Sequence, residues 1–361
     1  MKAWPLKASK IMSSKRFTTC VDLFCGVGGL THGFVREGLS VAAGIDLDSA
    51  CSYPYQANNA AKFLERDVSK LAGVELESLF EDAQYRILAG CAPCQPFSTY
   101  AQRYESDGRE GKWGLLYHFA RLAEETRPDV ITMENVPSVA KHAVFKDFVE
   151  SLKSIGYHVW FEVVDSALYG VPQSRRRMVL LASMHGPIKL ISPTTPEPKT
   201  VKQAIGHLVA IGAGEAASSD QLHTSASLSP LNMRRMRAST PGGTWREWPK
   251  ELVAACHQAD TGRTYPGVYG RMEWSKPAPT MTTQCYGFGN GRFGHPEQDR
   301  AISLREAALI QSFPQEYDFA PTGSKVSFTA LGRLIGNAVP VELGRAIARS
   351  IQLHLAGLAK H

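Results

Sequence analysis

The sequence lacks long apolar runs, a cysteine framework and internal repeats. No stretch reaches the ~18 apolar residues of a membrane span, so we expect no membrane helix. Residues 1–16 are basic but lack the apolar centre of a signal peptide, and we expect a loose extension there. The seven cysteines are odd in number and scattered, which disfavours a disulfide framework and suits a reducing cytoplasm.

Size and charge set only broad limits. A chain of 361 residues with 43% hydrophobic residues can form one large domain and a smaller one. The net charge of +6 permits a polyanionic partner without requiring one.

Hydrophobic periodicity predicts alternating strands and helices from about residue 17 to residue 185. This alternation is typical of an α/β fold with a doubly wound, mostly parallel sheet. The predicted strands lie at 18–24, 40–45, 85–89, 130–134, 157–165 and 178–183, with a short extended segment at 63–67 as the third strand along the chain. Beyond residue 185, Pro, Gly, Ser and Thr become frequent, which indicates a second, irregular domain.

A glycine-rich turn at 22–29 follows the first predicted strand and opens a helix. Glycine lets the backbone approach a ligand closely, but Thr31 stands where a dinucleotide fingerprint needs its third glycine. Asp46 ends the next strand and could accept both ribose hydroxyls of an adenosine ligand. Leu47 could lie against the adenine ring, and Asp67 could accept a hydrogen bond from the adenine amino group. A purely structural turn with capping aspartates is the alternative.

A Pro93-Cys94 pair follows another predicted strand, which places a thiol on a turn at the edge of the sheet. Cys91 and Cys94 could instead form a redox pair or half of a zinc site, although zinc needs a second pair and none has suitable spacing. Downstream lie Glu134-Asn135-Val136 and an arginine-rich run at 173–177.

These four runs, in this order, resemble the C5-cytosine DNA methyltransferase family, in particular the bacterial type II modification methylases. The resemblance covers about residues 17–358 and is weakest over 190–265. It implies a class I, Rossmann-like fold and methyl transfer from S-adenosyl-L-methionine to C5 of a flipped-out cytosine in double-stranded DNA. The product would be S-adenosyl-L-homocysteine, and no metal is needed.

The resemblance assigns catalytic roles to four residues. Cys94 would add to cytosine C6 and Glu134 would protonate N3. Arg177 would reach O2, and Arg175 would help hold the nucleophile and the ring.

The cofactor contacts that the resemblance implies come from the strand ends and from near the C-terminus. They are Phe24, Gly26, Gly28, Asp46, Leu47, Asp67, Val68, Pro93, Leu115 and Asn337. The family more often has Glu and an aromatic residue where this chain has Asp46-Leu47.

The resemblance also divides the chain. Residues 17–187 would form the first part of the catalytic domain, 188–315 the target-recognition domain, and 316–361 a hinge and the return of the catalytic domain. The polar loop at 98–114 suits a lid over DNA. The predicted DNA contacts are Ser98, Arg103, Arg234, Arg235, Arg271 and Thr280.

The expected partner is duplex DNA, with the protein a monomer in the bacterial cytoplasm, near the nucleoid. A cognate restriction endonuclease could act in the same system without a stable complex. Three alternatives stay open: a tRNA cytosine-5 methyltransferase of the same fold, a catalytically silent DNA-binding relative, and a nicotinamide-dependent oxidoreductase.

Overall fold

The computed structural model describes residues 16–93, 114–258 and 262–359. The main strands are β1 (Arg16–Leu23), β2 (Val41–Asp46), β3 (Lys62–Glu65), β4 (Ala83–Gly90), β5 (Val130–Asn135), β6 (His158–Asp165) and β7 (Arg176–Ser183). They form one seven-stranded sheet in the order β3-β2-β1-β4-β5-β7-β6.

Strand direction follows from the length of the connections. Strands β1 to β5 pair in parallel, whereas β7 is antiparallel to both β5 and β6. A parallel pair needs a crossover of a dozen or more residues. Only residues 166–175 separate β6 from β7, so β7 turns back beside its predecessor. The predicted α/β, mostly parallel sheet is confirmed, and the one reversed strand was not foreseen.

Helices cover both faces of the sheet. The N-terminal half of the chain contains α1 (Gly29–Arg36), α2 (Ser52–Asn58), α3 (Gly73–Leu79), α4 (Gly114–Thr126) and α5 (Ala143–Ser154). Adjacent strand residues point to opposite faces. Leu88 therefore packs in the core with Phe119 and Phe148, whereas Ile87 packs in the core with Phe34 and the C-terminal helix.

The less regular region has short elements, and its buried residues form a core that also includes Val27, Cys51 and Val341. Its elements are α6 (Val201–Ile205), β8 (Ala216–Ala217), β9 (Asp220–Thr224), α7 (Pro230–Ala238), α8 (Ala255–Gln258), α9 (Leu304–Ile310) and α10 (Phe328–Asn337). Met272, Met281 and Ile310 belong to this core. Helix α9 begins with a capping box in which the buried Glu306 also forms a two-bond ion pair with Arg300.

Helix α11 (Val341–Leu358) returns to the sheet and packs against α1. Gly33 permits this contact, because a Cβ there would lie 2.6 Å from the carbonyl oxygen of Val341. Glu37, just after α1, forms ion pairs with Arg345 Nε at 2.6 Å and with Arg349 Nε at 2.7 Å. None of the helices in the described ranges is both long enough and apolar enough to cross a membrane.

Candidate active site

The glycine turn lies between β1 and α1. Phe24, Gly26 and Gly28 all have positive φ, at 57°, 52° and 86°. For Phe24 this conformation costs roughly 1–3 kcal/mol and is typical of functional sites. A Cβ at Gly28 would lie 2.9 Å from Asn59 Nδ2, whereas a Cβ at Gly26 would meet no atom within 4 Å. The turn is therefore packed on its inner side and open on the side of Gly26.

Asp46 fixes this turn from the end of β2. Its Oδ2 accepts the amide of Gly26 at 2.9 Å, and its Oδ1 accepts the amide of Asp48 at 2.9 Å. An ionised carboxylate has about four acceptor positions, so lone pairs remain for a ligand. Leu47, the next residue, is 67% exposed. An acid and an apolar side chain thus stand together at the carboxyl edge of the sheet.

Beneath the turn, Asp22 is fully buried, with Thr31 Oγ1 donating to its Oδ2 at 2.7 Å. Burial raises the pKa of Asp22 from 3.8 to about 7, partly offset by the Thr31 hydroxyl and reinforced by the charge of Asp46. The carboxyl therefore holds a proton over much of the acidic range.

Asp67 and Val68 follow β3, the strand beside β2, and so lie at the same edge of the sheet. We call the space outside this edge the cleft. Asp67 Oδ1 accepts both the hydroxyl of Ser69 at 2.7 Å and its amide at 3.0 Å. These bonds lower the pKa of Asp67, so it is a carboxylate near neutral pH. Val68 is buried, and Leu115 is half-buried against the same core. Pro93, the last described residue before a gap, is exposed.

Helix α10 approaches this cleft from the C-terminal part of the chain. Asn337 is its last residue and is exposed. One turn earlier, Arg333 Nη2 lies 2.6 Å from Asp48 Oδ2, beside the strand end that carries Asp46.

Three predicted residues, Cys94, Ser98 and Arg103, lie outside the described residues. The structure does show how the segment that leads to Cys94 is held. Asn135 is buried at the end of β5, and its Nδ2 donates to the carbonyl oxygen of Ala92 at 3.1 Å. Sequence reasoning gave Asn135 no role of its own, although it stands beside Glu134.

Glu134 and Arg177 form a buried ion pair at the same edge. Arg177 Nε lies 2.8 Å from Glu134 Oε1, and the two side chains are 11% and 9% exposed. The pairing of β5 with β7 brings them together, since Asn135 lies opposite Met178. The structure thus joins two of the four predicted catalytic residues.

Arg175 lies just before β7 and is directed toward the irregular region. It is 3% exposed. Its Nη1 donates to the carbonyl oxygen of Met281 at 2.8 Å, and its Nη2 to those of Gly336 at 3.3 Å and Ala338 at 3.4 Å. These bonds tie three distant segments together. The predicted contact with the nucleophile and the ring stays a prediction.

The predicted DNA contacts differ in exposure. Arg234 on α7 is exposed and has no hydrogen-bond or ion-pair partner among the described residues. Arg235 is half-buried, donates to the carbonyl oxygen of Leu252 at 2.8 Å and lies over the ring of Tyr269. Thr280 is half-buried and donates to the carbonyl oxygen of Ser174 at 2.6 Å.

Arg271 lies inside the irregular region. It is 5% exposed and donates to the carbonyl oxygens of Met236, Ser239 and His295, and it pairs with Asp299. A guanidinium that is buried and satisfied in this way holds the irregular region together. Its burial does not favour the predicted contact between Arg271 and DNA, which stays a prediction.

Known structures share this architecture. A protein encoded within an E. coli prophage, described as a DNA modification methyltransferase, has a TM-score of 0.71 at 21% identity, with 94% of this chain and 99% of that one covered. DNMT2 of Spodoptera frugiperda has a TM-score of 0.63 at 18% identity, with coverage of 93% and 99%. The fold is that of the class I S-adenosylmethionine-dependent methyltransferases.

Sequence comparison identifies the family. Residues 18–353 match the family model of C-5 cytosine-specific DNA methylases. The type II methylase M.HgiDII of Herpetosiphon aurantiacus is 53% identical, over 94% of this chain and 96% of the relative. The type II methyltransferase M.Eco47II of Escherichia coli is 30% identical, over 98% and 82%. The chain belongs to the C-5 cytosine-specific DNA methylase family and is a DNA (cytosine-5-)-methyltransferase, as its motifs predict.

Proposed function

We propose that this enzyme methylates a cytosine flipped out of a short duplex sequence, through a covalent bond between Cys94 and cytosine C6. The observation that carries the proposal is the buried Glu134–Arg177 pair, 2.8 Å apart. It lies at the carboxyl edge of the sheet, where open α/β folds bind their ligands. Asn135 connects the same strand end to the segment that leads to Cys94.

The chemistry follows from the reactivity of cytosine. Its C5 is a weak nucleophile until a thiolate adds to C6 and turns the ring into an enamine. Glu134 hydrogen-bonds N3 and shares a proton with it, so negative charge does not build up on the ring. Arg177 donates toward O2 and keeps the Glu134 carboxyl oriented. After C5 has gained the methyl group it loses its proton, and β-elimination releases Cys94.

The described cleft residues fit S-adenosylmethionine. The space in front of Gly26 admits a ligand close to the backbone, Asp46 retains acceptor positions for ribose hydroxyls, and Asp67 is ionised. Exposed Leu47 offers an apolar surface to an adenine. When bound, the cofactor supplies the methyl group as an electrophile and leaves as S-adenosylhomocysteine. Phe24, Gly28, Val68, Pro93, Leu115 and Asn337 complete the proposed set.

DNA would lie against the irregular region, residues 188–315, as the recognition domain. The exposed Arg234 supports a phosphate contact there, and Arg235, Thr280, Ser98 and Arg103 stay in the proposed set. Residues 17–187 and 316–361 would together form the catalytic domain. The proposal includes a monomer in the bacterial cytoplasm, near the nucleoid, a companion restriction endonuclease that forms no stable complex with it, and no catalytic metal.

Bisulfite sequencing of plasmid DNA from cells that express this chain tests the proposal, with Cys94→Ser as the matched control. We expect cytosines within one short motif to resist conversion only when the thiol is present. Equal protection with Cys94→Ser would rule out the covalent step through Cys94. No protection at any site would overturn DNA methylation by this chain.

A further inference from the structure

A buried polar cluster joins four distant segments of the chain, and we call it the amide joint. It consists of Gln173, Arg175 and Gln311, whose exposures are 0%, 3% and 0%. Glutamine is seldom fully buried unless its amide is hydrogen-bonded. The partners of these hydrogen bonds therefore show which segments of the chain the joint connects.

Gln311, just after α9, forms bonds in two directions. Its Nε2 lies within reach of three carbonyl oxygens at the end of α10: Ile335 at 2.7 Å, Ala338 at 3.1 Å and Gly336 at 3.3 Å. Its Oε1 accepts Nε2 of Gln173 at 2.6 Å. A single side chain thus fixes the last turn of α10 against the segment before β7.

Gln173 extends the joint to the irregular region. Its Nε2 also donates to the carbonyl oxygen of Ile310 at 3.0 Å, and its Oε1 accepts the amide of Met281 at 2.9 Å. Arg175 donates to the carbonyl oxygen of the same Met281 at 2.8 Å.

The end of α10 is the structure on which these bonds converge. The last carbonyls of a helix have no partner within the helix and carry partial negative charge. Here Arg175 brings a positive charge to them, and Gln311 adds amide hydrogens. Gly336 lets the helix rest on backbone, because a Cβ there would lie 2.1 Å from the carbonyl oxygen of Thr282.

We propose that the amide joint positions Asn337 for the cofactor, with Gln311 as the positioning residue. Asn337 lies between Gly336 and Ala338, both held by the joint, while the residue itself is exposed. Within the described ranges Gln311 is fully buried and its side chain bonds to Gln173 and to the backbone on either side of Asn337, so it acts through the backbone that carries Asn337. This inference rests on the proposed function, because it takes Asn337 as a cofactor contact.

The substitution Gln311→Met tests the proposal without emptying the joint. Each carbonyl keeps one donor: the amide of Ala338 for Ile335, and Arg175 Nη2 for Gly336 and Ala338. The fold should therefore survive. We expect the Kd for S-adenosylmethionine, from isothermal titration calorimetry, to rise roughly three- to tenfold, the worth of one hydrogen bond. The kcat at saturating cofactor should change less than twofold.

A double-mutant cycle separates positioning from general destabilisation. If Gln311 acts through Asn337, the Kd of the variant with both Gln311→Met and Asn337→Ala should equal that of Asn337→Ala alone. Leu355→Ala, in the separate core beneath α11, is the control that lowers stability without changing the Kd. Should Gln311→Met fail to fold, Gln311→Asn keeps the amide but withdraws it, and the same cycle applies.

The outcomes are distinct. An unchanged Kd in Gln311→Met, or fully additive effects of the two substitutions, would overturn the positioning role while leaving the proposed function intact. A wild-type chain that binds no S-adenosylmethionine would overturn the proposed function and this inference with it.

Discussion

Neutralising Glu134 tests the geometry of the active site most fully. In Glu134→Gln the shape is kept, but Arg177 loses its anion at 2.8 Å, in a place where both side chains are about one-tenth exposed. Breaking a buried pair from one side costs about 3–5 kcal/mol because the remaining charge is uncompensated. Loss of the general acid should independently slow methyl transfer by about 10²–10⁴-fold.

The two effects can be measured separately. Single-turnover transfer of a radiolabelled methyl group gives the chemical step, and urea denaturation gives the free energy of unfolding. The matched control is Glu162→Gln, an exposed carboxylate on β6, which is separated from β5 by β7, and it should change neither quantity appreciably. A Glu134→Gln rate within threefold of wild type would refute the assignment of Glu134. A slow rate with wild-type stability would refute the account of the ion pair.

Three further predictions concern the cofactor site and the framework. Asp46→Ala removes the acceptor for the Gly26 amide and should weaken cofactor binding at least tenfold in calorimetry while duplex affinity falls less; equal loss of both would indicate misfolding. Glu37→Gln removes the anion shared by Arg345 and Arg349 and should lower the free energy of unfolding by roughly 2 kcal/mol at pH 7. Burial raises the pKa of Glu37, but the two arginines outweigh it and lower the pKa overall. The stabilisation by Glu37 should therefore be present above about pH 5 and fade as the pH falls further. A difference in the free energy of unfolding between variant and wild type that stays constant down to pH 3 would contradict this. The pKa of Asp22 is raised from 3.8 to about 7, so the folded state retains a proton there and wild-type stability should fall between pH 4 and pH 7 by up to roughly 4 kcal/mol relative to Asp22→Asn. Parallel urea-denaturation pH profiles for these two proteins would contradict that reading.

Local signals in the sequence predict much of the fold. The glycine turn, Asp46 and Asp67 each follow a short apolar strand, and strand ends that follow one another in a parallel sheet meet at one edge. Periodicity found the strands but not their directions, because alternation of side chains is the same in parallel and antiparallel pairs. The reversal of β7 follows instead from its short connection to β6.

Contacts over long sequence separations explain what the sequence did not reveal. Arg271 belongs to a basic region that suggests solvent exposure, yet its partners Met236, His295 and Asp299 bury it. Gln173 and Gln311 are 138 residues apart, and a neutral amide gives no sign of its partner. The roles of such residues can be recognised only from a structure, in which their distant segments are in contact.

Covalent trapping of Cys94 tests the central claim most directly. A duplex with 5-fluorodeoxycytidine at the methylated position allows the thiolate to add to C6 and the methyl group to arrive, but C5 then bears no proton, so β-elimination cannot follow. We predict a stable protein–DNA adduct whose peptide mass assigns the bond to Cys94, and no adduct with Cys94→Ser. Methyl transfer to normal DNA by Cys94→Ser, or an adduct on another residue, would contradict the account.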